Sequence, residues 1–146
     1  MWTRDDAGAI IISARRPGRV VTLRTLRKHG YTGPVKVLVE ESDLTLGEYV
    51  ARHGDMVETF RFEDVCGDTM DSLEPRWAVM FPRMASFDLA SRLGWRYFIS
   101  LDDDYTSFEW LVCEYGQWFQ TKTYRLDDIF AAFIDALDYL AVRRPD

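Results

Sequence analysis

The sequence predicts an α/β fold, a mainly parallel sheet flanked by helices and followed by a hairpin and a last helix. Three observations carry this. Short apolar runs rich in β-branched or aromatic residues recur at Ala9–Ser13, Val35–Val39 and Tyr97–Leu101. Segments with helical spacing of apolar residues alternate with them. Polar clusters then follow the three runs: Ser13-Ala14-Arg15-Arg16, Glu40-Glu41-Ser42-Asp43 and Asp102-Asp103-Asp104. In open parallel sheets, ligands bind beyond the carboxyl ends of the strands, where these clusters fall.

Taken in order, Ala9–Ser13 is the first buried strand, closed by Pro17-Gly18. Val20, Val21, Leu23 and Leu26 stand among cations, which predicts a helix from about Arg19 to His29, capped by Gly30. Gly33-Pro34 introduces the second strand, Val35–Val39. Leu46–His53 fits a short helix stopped by Gly54, and Val57–Phe62 a third strand. Cys66–Glu74 reads as a loop. Pro82 suits a first helical turn, Gly94 closes that helix, and Tyr97–Leu101 is the fourth strand. Glu109–Glu114 and Trp118–Tyr124 read as a hairpin about Tyr115-Gly116-Gln117. Asp127 opens the last helix, whose apolar stripe runs through Ile129, Phe130, Phe133, Ile134, Leu137, Leu140 and Ala141. Met84, Phe87, Phe130 and Phe133 are expected in the core, and Trp110 and Trp118 in the packing of the hairpin.

The 146 residues fit one domain, 1–146, and 47% hydrophobic content is enough for a core. No apolar run is long enough to span a membrane, and the first residues lack a signal-peptide pattern, so a soluble cytoplasmic protein is expected. A net charge of −6 argues against a general nucleic-acid coat. The charge is uneven, with six cations and no acid between Arg15 and Lys28. Such a cluster suits phosphates or a solvated helix face equally well. Two distant cysteines and two histidines give no zinc spacing.

The acidic triplet is the strongest local signal. Three adjacent carboxylates repel one another unless a cation neutralises them, and alternation lets Asp102 and Asp104 point to one side. Hard oxygen ligands suit Mg²⁺ or Mn²⁺, which makes Asp102 and Asp104 the candidate metal ligands and Asp103 a candidate cofactor contact. A solvated acidic turn or a helix cap is the plain alternative. Ser13, Arg15, Arg16 and Arg19 follow the first strand and are candidate phosphate contacts. Glu40 and Glu41 are placed to accept hydrogen bonds from a nucleobase imide or a ribose hydroxyl, whereas Ser42 and Asp43 suit capping. Arg83 starts the helix before the fourth strand and can reach the same nucleotide. No residue is assignable as a catalytic base.

The block PRMASFDLASRLGWRYFISLDDDYTSF, ending at Phe108, resembles the helix–strand–DxD segment of GT-A glycosyltransferases. Within that group the chain is most similar to the phage-type TET-associated glycosyltransferases, which are linked to hypermodified DNA bases. IISARRPGRVVTLRTL, VKVLVEESD and LDDIFAAFIDAL (Leu126–Leu137) resemble further parts of them, so the likeness extends over roughly Ile10 to Leu140.

The resemblance implies a Rossmann-like nucleotide-sugar-binding half, a nucleoside-diphosphate sugar as donor, Mn²⁺ or Mg²⁺, and a hydroxylated acceptor. By association the acceptor is a hydroxymethylated pyrimidine in DNA and the setting a phage-infected bacterial cell. Asp102 and Asp104 match the metal aspartates; Arg15, Arg16 and Glu40 or Glu41 fall where such enzymes contact the nucleotide. Met84 stands where related enzymes often carry Asn after Arg. The chain also stops soon after the last helix, where an acceptor-binding half is expected, so a homodimer or a partner chain is the expected way to complete the site. Two other readings fit the pattern: a nucleotidyltransferase, for which Pro17-Gly18 is a poor phosphate loop, and a non-catalytic nucleotide-sugar or interaction module.

Overall fold

The computed structural model describes residues 1–66 and 79–142. Its elements, in chain order, are β1 (Ala7–Ile12), α1 (Val21–Lys28), β2 (Val35–Glu40), α2 (Leu46–His53), β3 (Val57–Phe60), α3 (Phe62–Cys66), α4 (Met80–Arg92), β4 (Tyr97–Asp102), β5 (Glu109–Glu114), β6 (Gln117–Lys122) and α5 (Leu126–Val142). β1 to β4 form one sheet in the order β3-β2-β1-β4, parallel throughout. β5 and β6 form a separate antiparallel pair. The expected α/β architecture is therefore present. No helix among the described residues is long and apolar enough to cross a membrane.

β1 is buried along its whole length because it lies between β2 and β4 and is covered on both faces. Alternation along the strand divides its side chains between two cores. Ala9 and Ile11 join Val37, Val39 and Leu101 against Leu26 of α1, Tyr49 of α2, and Leu126 and Phe130 of α5. Ile10 and Ile12 join Leu38 against Ala85, Leu89 and Ala90 of α4. Helices on both faces leave the carboxyl ends of β1, β2 and β4 side by side at one rim; Ile12 is registered with Leu38 and with Asp102.

Several element boundaries differ from the expected ones. Pro17–Arg19 forms a 3-10 turn, so α1 begins at Val21 rather than Arg19. Gly30 follows the helix with φ +86, a left-handed conformation that favours glycine. β3 ends at Phe60, and Phe62, expected in that strand, opens α3 instead. The loop expected at Cys66–Glu74 lies outside the described residues except for Cys66, which ends α3. α4 starts at Met80, with Pro82 in its first turn as expected. The hairpin turn has two residues, Tyr115 (φ 51) and Gly116 (φ 78), so Gln117 belongs to β6. Two successive positive φ values match the twist of a tight hairpin.

Several expected core residues are not buried. Met84 and Phe87 are exposed on α4, although Phe87 packs edge-on against Phe98. Phe133, Leu137 and Leu140 are exposed on α5, where Leu126, Phe130 and Ile134 are buried. Trp110 and Trp118 are exposed, as is every other residue of β5 and β6. The physical reason is coverage. β4 is the last strand of the sheet, and no described element lies over the outer sides of α4, α5 or the hairpin.

Candidate functional site

The rim of the sheet opens into a cleft of about 340 Å³ whose lining includes Ser13, Arg16, Glu40, Asp102, Asp103 and Asp104. Residues after three strands and at the start of α4 thus reach one space. The three aspartates behave differently there. Asp102 ends β4; its Oδ1 accepts from Arg83 Nη2 at 2.9 Å and its Oδ2 from the Tyr105 hydroxyl at 3.3 Å. Asp103 is buried, accepting from the Ser13 hydroxyl on Oδ2 and from Arg16 Nη2 on Oδ1 at 2.6 Å. Asp104 is exposed at the rim.

The turn carrying them is clamped by the first turn of α1. Thr22, fully buried, donates its N–H to Asp103 O at 3.1 Å and its hydroxyl to Asp102 O at 2.6 Å. Tyr105 N–H returns a bond to the Thr22 hydroxyl oxygen at 2.8 Å. Buried backbone groups at a strand end need partners, and one threonine satisfies three of them here.

A second network ties the loop after β1 to α2. Ser13 donates to Asp103, so the 2.6 Å bond between Ser13 and Tyr49 is donated by the tyrosine hydroxyl, which in turn accepts from Arg16 N–H at 3.0 Å. Burial pushes the Tyr49 phenol above its ordinary pKa, which keeps it a neutral link. Between Ser13 and Arg16 the chain turns at Arg15, whose φ is +56 and whose N–H bonds Asp43 Oδ2 at 2.8 Å. Asp43 also receives the Thr45 N–H and hydroxyl. Burial alone would raise its pKa, but these hydrogen bonds and the Arg15 charge hold it below the usual carboxylate value.

The candidates therefore separate. Ser13, Arg16, Glu40 and the triplet meet in one cleft, with Arg83 bonded to Asp102 at its edge. Arg15 lines an adjoining hollow of about 290 Å³, which shares Ala14 and Glu40 with the cleft. Glu40 Oε2 accepts from Ser42 N–H at 3.0 Å, whereas Glu41 turns outward to Arg61, 3.7 Å away. Arg19 is exposed on the 3-10 turn and does not line the cleft. Asp43 organises its turn, as its residue type suggests.

Sequence reasoning missed Thr22, Tyr49 and Tyr105. A threonine at the start of a cationic helix and a tyrosine in a short amphipathic one carry no local signal; their roles come from segments far away in the chain. His29 was also passed over. It is buried, its Nδ1 meets Thr123 O, and its ring stacks on Tyr124 at 5.2 Å, which anchors the chain leaving the hairpin to the end of α1.

Among the described residues no three His, Cys, Asp or Glu side chains converge as a ready metal cage. Asp102 and Asp104 both line the cleft, Asp102 bonded to Arg83 and Asp104 exposed at its mouth.

Comparison with protein families gives a match to the family described as TET-Associated Glycosyltransferase, over residues 9–142. Comparison with curated proteins and with solved structures gives no match.

Proposed function

The chain belongs to the TET-associated glycosyltransferase family, and from that premise we propose that its cleft binds a nucleoside-diphosphate sugar together with Mg²⁺ or Mn²⁺, in the manner of a GT-A enzyme. The observation that carries this reading is the meeting of Arg16 with the acidic triplet in one cleft at the carboxyl rim of a parallel sheet. Asp102 and Asp104 hold the metal. The Asp102 side chain is 36% exposed, and among the described residues its Oδ2 has only the long Tyr105 contact, so it has room for a cation. A divalent cation held there would supply charge neutralisation for the departing diphosphate.

The protein's own groups do the rest. Arg16 takes a phosphate oxygen through guanidinium nitrogens not used by Asp103. Arg83, beside Asp102, exchanges its carboxylate for a phosphate as the donor enters. Glu40 accepts from a ribose hydroxyl or a base imide at the junction with the adjoining hollow. The acceptor we propose is a hydroxymethylated pyrimidine in DNA.

A thermal-shift panel of ADP, GDP, CDP, UDP and dTDP, with and without Mn²⁺, tests the donor site. A ligand at about 100 times its dissociation constant adds about 2.7 kcal/mol of stability. The expected outcome is a Mn²⁺-dependent shift for at least one nucleotide, lost in Asp102→Asn/Asp104→Asn. Equal shifts in the double variant would remove the metal assignment. Turnover of a sugar nucleotide on hydroxymethylated DNA, read by mass spectrometry, separates an enzyme from a binding module.

A further inference from the structure

We infer that Asp103, the middle residue of the triplet, is a positioning residue: it holds the Arg16 guanidinium over the cleft to receive a diphosphate and is not a metal ligand. This rests on the donor-site reading above. Asp103 is 1% exposed, against 36% for the Asp102 side chain. Both of its oxygens are engaged inside the protein, one by Ser13 and the other by Arg16. Its partners come from the loop after β1, whereas those of Asp102 come from α4 and Tyr105, so adjacent carboxylates face different neighbours. A carboxylate buried this way, with Ser13 on one oxygen and Arg16 on the other, is far less accessible to a cation than Asp102 or Asp104.

The same geometry fixes Arg16 at two points. Its N–H is held by the Tyr49 hydroxyl and its head by Asp103, and both fixings meet at Ser13. The Arg15 turn delivers Arg16 to this position. The guanidinium spends one nitrogen on Asp103; its others have no partner among the described residues, and the side chain is 49% exposed on the cleft. A planar fork ordered before the ligand arrives loses less freedom on binding than a free arginine. Asp103 therefore acts on the ligand through Arg16.

Charge and position predict opposite signs, which makes the inference testable. Removing a negative charge beside an anion site strengthens anion binding on Coulombic grounds alone. Loss of positioning weakens it. The experiment titrates inorganic pyrophosphate by calorimetry, with and without Mn²⁺, into the wild type, Asp103→Asn, Arg16→Ala and the double variant. Mn²⁺ alone is counted by electron paramagnetic resonance, with Asp102→Asn as the control. Asp103→Asn is expected to weaken pyrophosphate about tenfold, as is Arg16→Ala, the size expected for a lost charged hydrogen bond. The double variant is expected to be no weaker than Arg16→Ala, because the two residues act as one unit. Mn²⁺ affinity is expected to fall in Asp102→Asn and to hold in Asp103→Asn.

Unchanged or tighter pyrophosphate in Asp103→Asn overturns the inference. So do additive losses, or a Mn²⁺ loss equal to that of Asp102→Asn. Where Asp103→Asn does not fold, Ser13→Ala loosens the carboxylate while keeping its charge. A smaller loss that vanishes in the Arg16→Ala background then supports positioning, and no loss overturns it. A wild type that binds pyrophosphate but not Mn²⁺, with coupled losses, supports positioning and removes the metal. A wild type that binds pyrophosphate in neither condition overturns both.

Discussion

At the carboxyl rim of the sheet, polar residues are buried: Ser13, Thr22 and Asp103 lie inside the protein, each with hydrogen bonds to other elements. On the hairpin and α5, apolar residues are exposed: Trp118 is 65% exposed, Phe133 58% and Leu137 52%. The inversion has a simple cause. At the rim, β1, β4, α1 and α2 converge, and burial is tolerated because each polar group meets a partner from another segment. On the far side the hairpin is a separate pair of strands, and α5 has the sheet on one side only. What each residue experiences is set by how many elements meet around it.

The largest test of this contrast compares two apolar truncations. Ile11→Ala, in the middle of β1 and fully buried, should cost about 2–5 kcal/mol through lost transfer energy and a cavity. Phe133→Ala, exposed on α5, should stay within about 0.5 kcal/mol. Urea denaturation of both variants checks it; similar costs would mean that the outer side of α5 is packed.

A smaller effect is expected inside the rim. Thr22→Val keeps the shape but removes the hydroxyl that bonds Asp102 O and Tyr105 N–H. The loss should be about 1–3 kcal/mol, the cost of leaving buried partners unsatisfied. Because the hydroxyl holds the turn that carries the triplet, the Mn²⁺-dependent nucleotide shift should weaken too. A variant with lower stability and an unchanged nucleotide shift would separate the clamp from the site.

The smallest expected effect is a pH dependence where α5 meets the body. Burial alone would raise the Asp127 pKa, but bonds from the Thr32 hydroxyl and N–H, and from the Met1 ammonium, hold it below the usual carboxylate value. A depressed folded-state pKa means the unfolded chain binds the proton more readily, so stability rises with pH there. This contribution is present above the unfolded value of about 4 and is lost as pH falls through the lower folded value. Asp127→Asn should therefore melt earlier at pH 7, and its curve should converge with that of the wild type in acid. A constant gap at every pH would assign the effect to shape rather than charge.

By itself the sequence determined the order of strands and helices apart from the short α3, the parallel sheet, and the polar clusters at its rim. Local chemistry suffices for these: β-branched runs make buried strands, Gly30 stops α1, and Asp102-Asp103-Asp104 follows a strand wherever that strand lies. Only the tertiary structure decided which member of each cluster faces the cleft. Glu40 lines it while Glu41 meets Arg61, and Asp103 is buried between a half-buried Asp102 and an exposed Asp104. Adjacent residues in an extended chain point to opposite sides, so a shift of one position exchanges their roles. Tertiary structure also decided that Phe133 and Trp118 would lie exposed. Periodicity marks which face of an element is apolar; whether another element covers that face depends on contacts between distant segments, which no local pattern records.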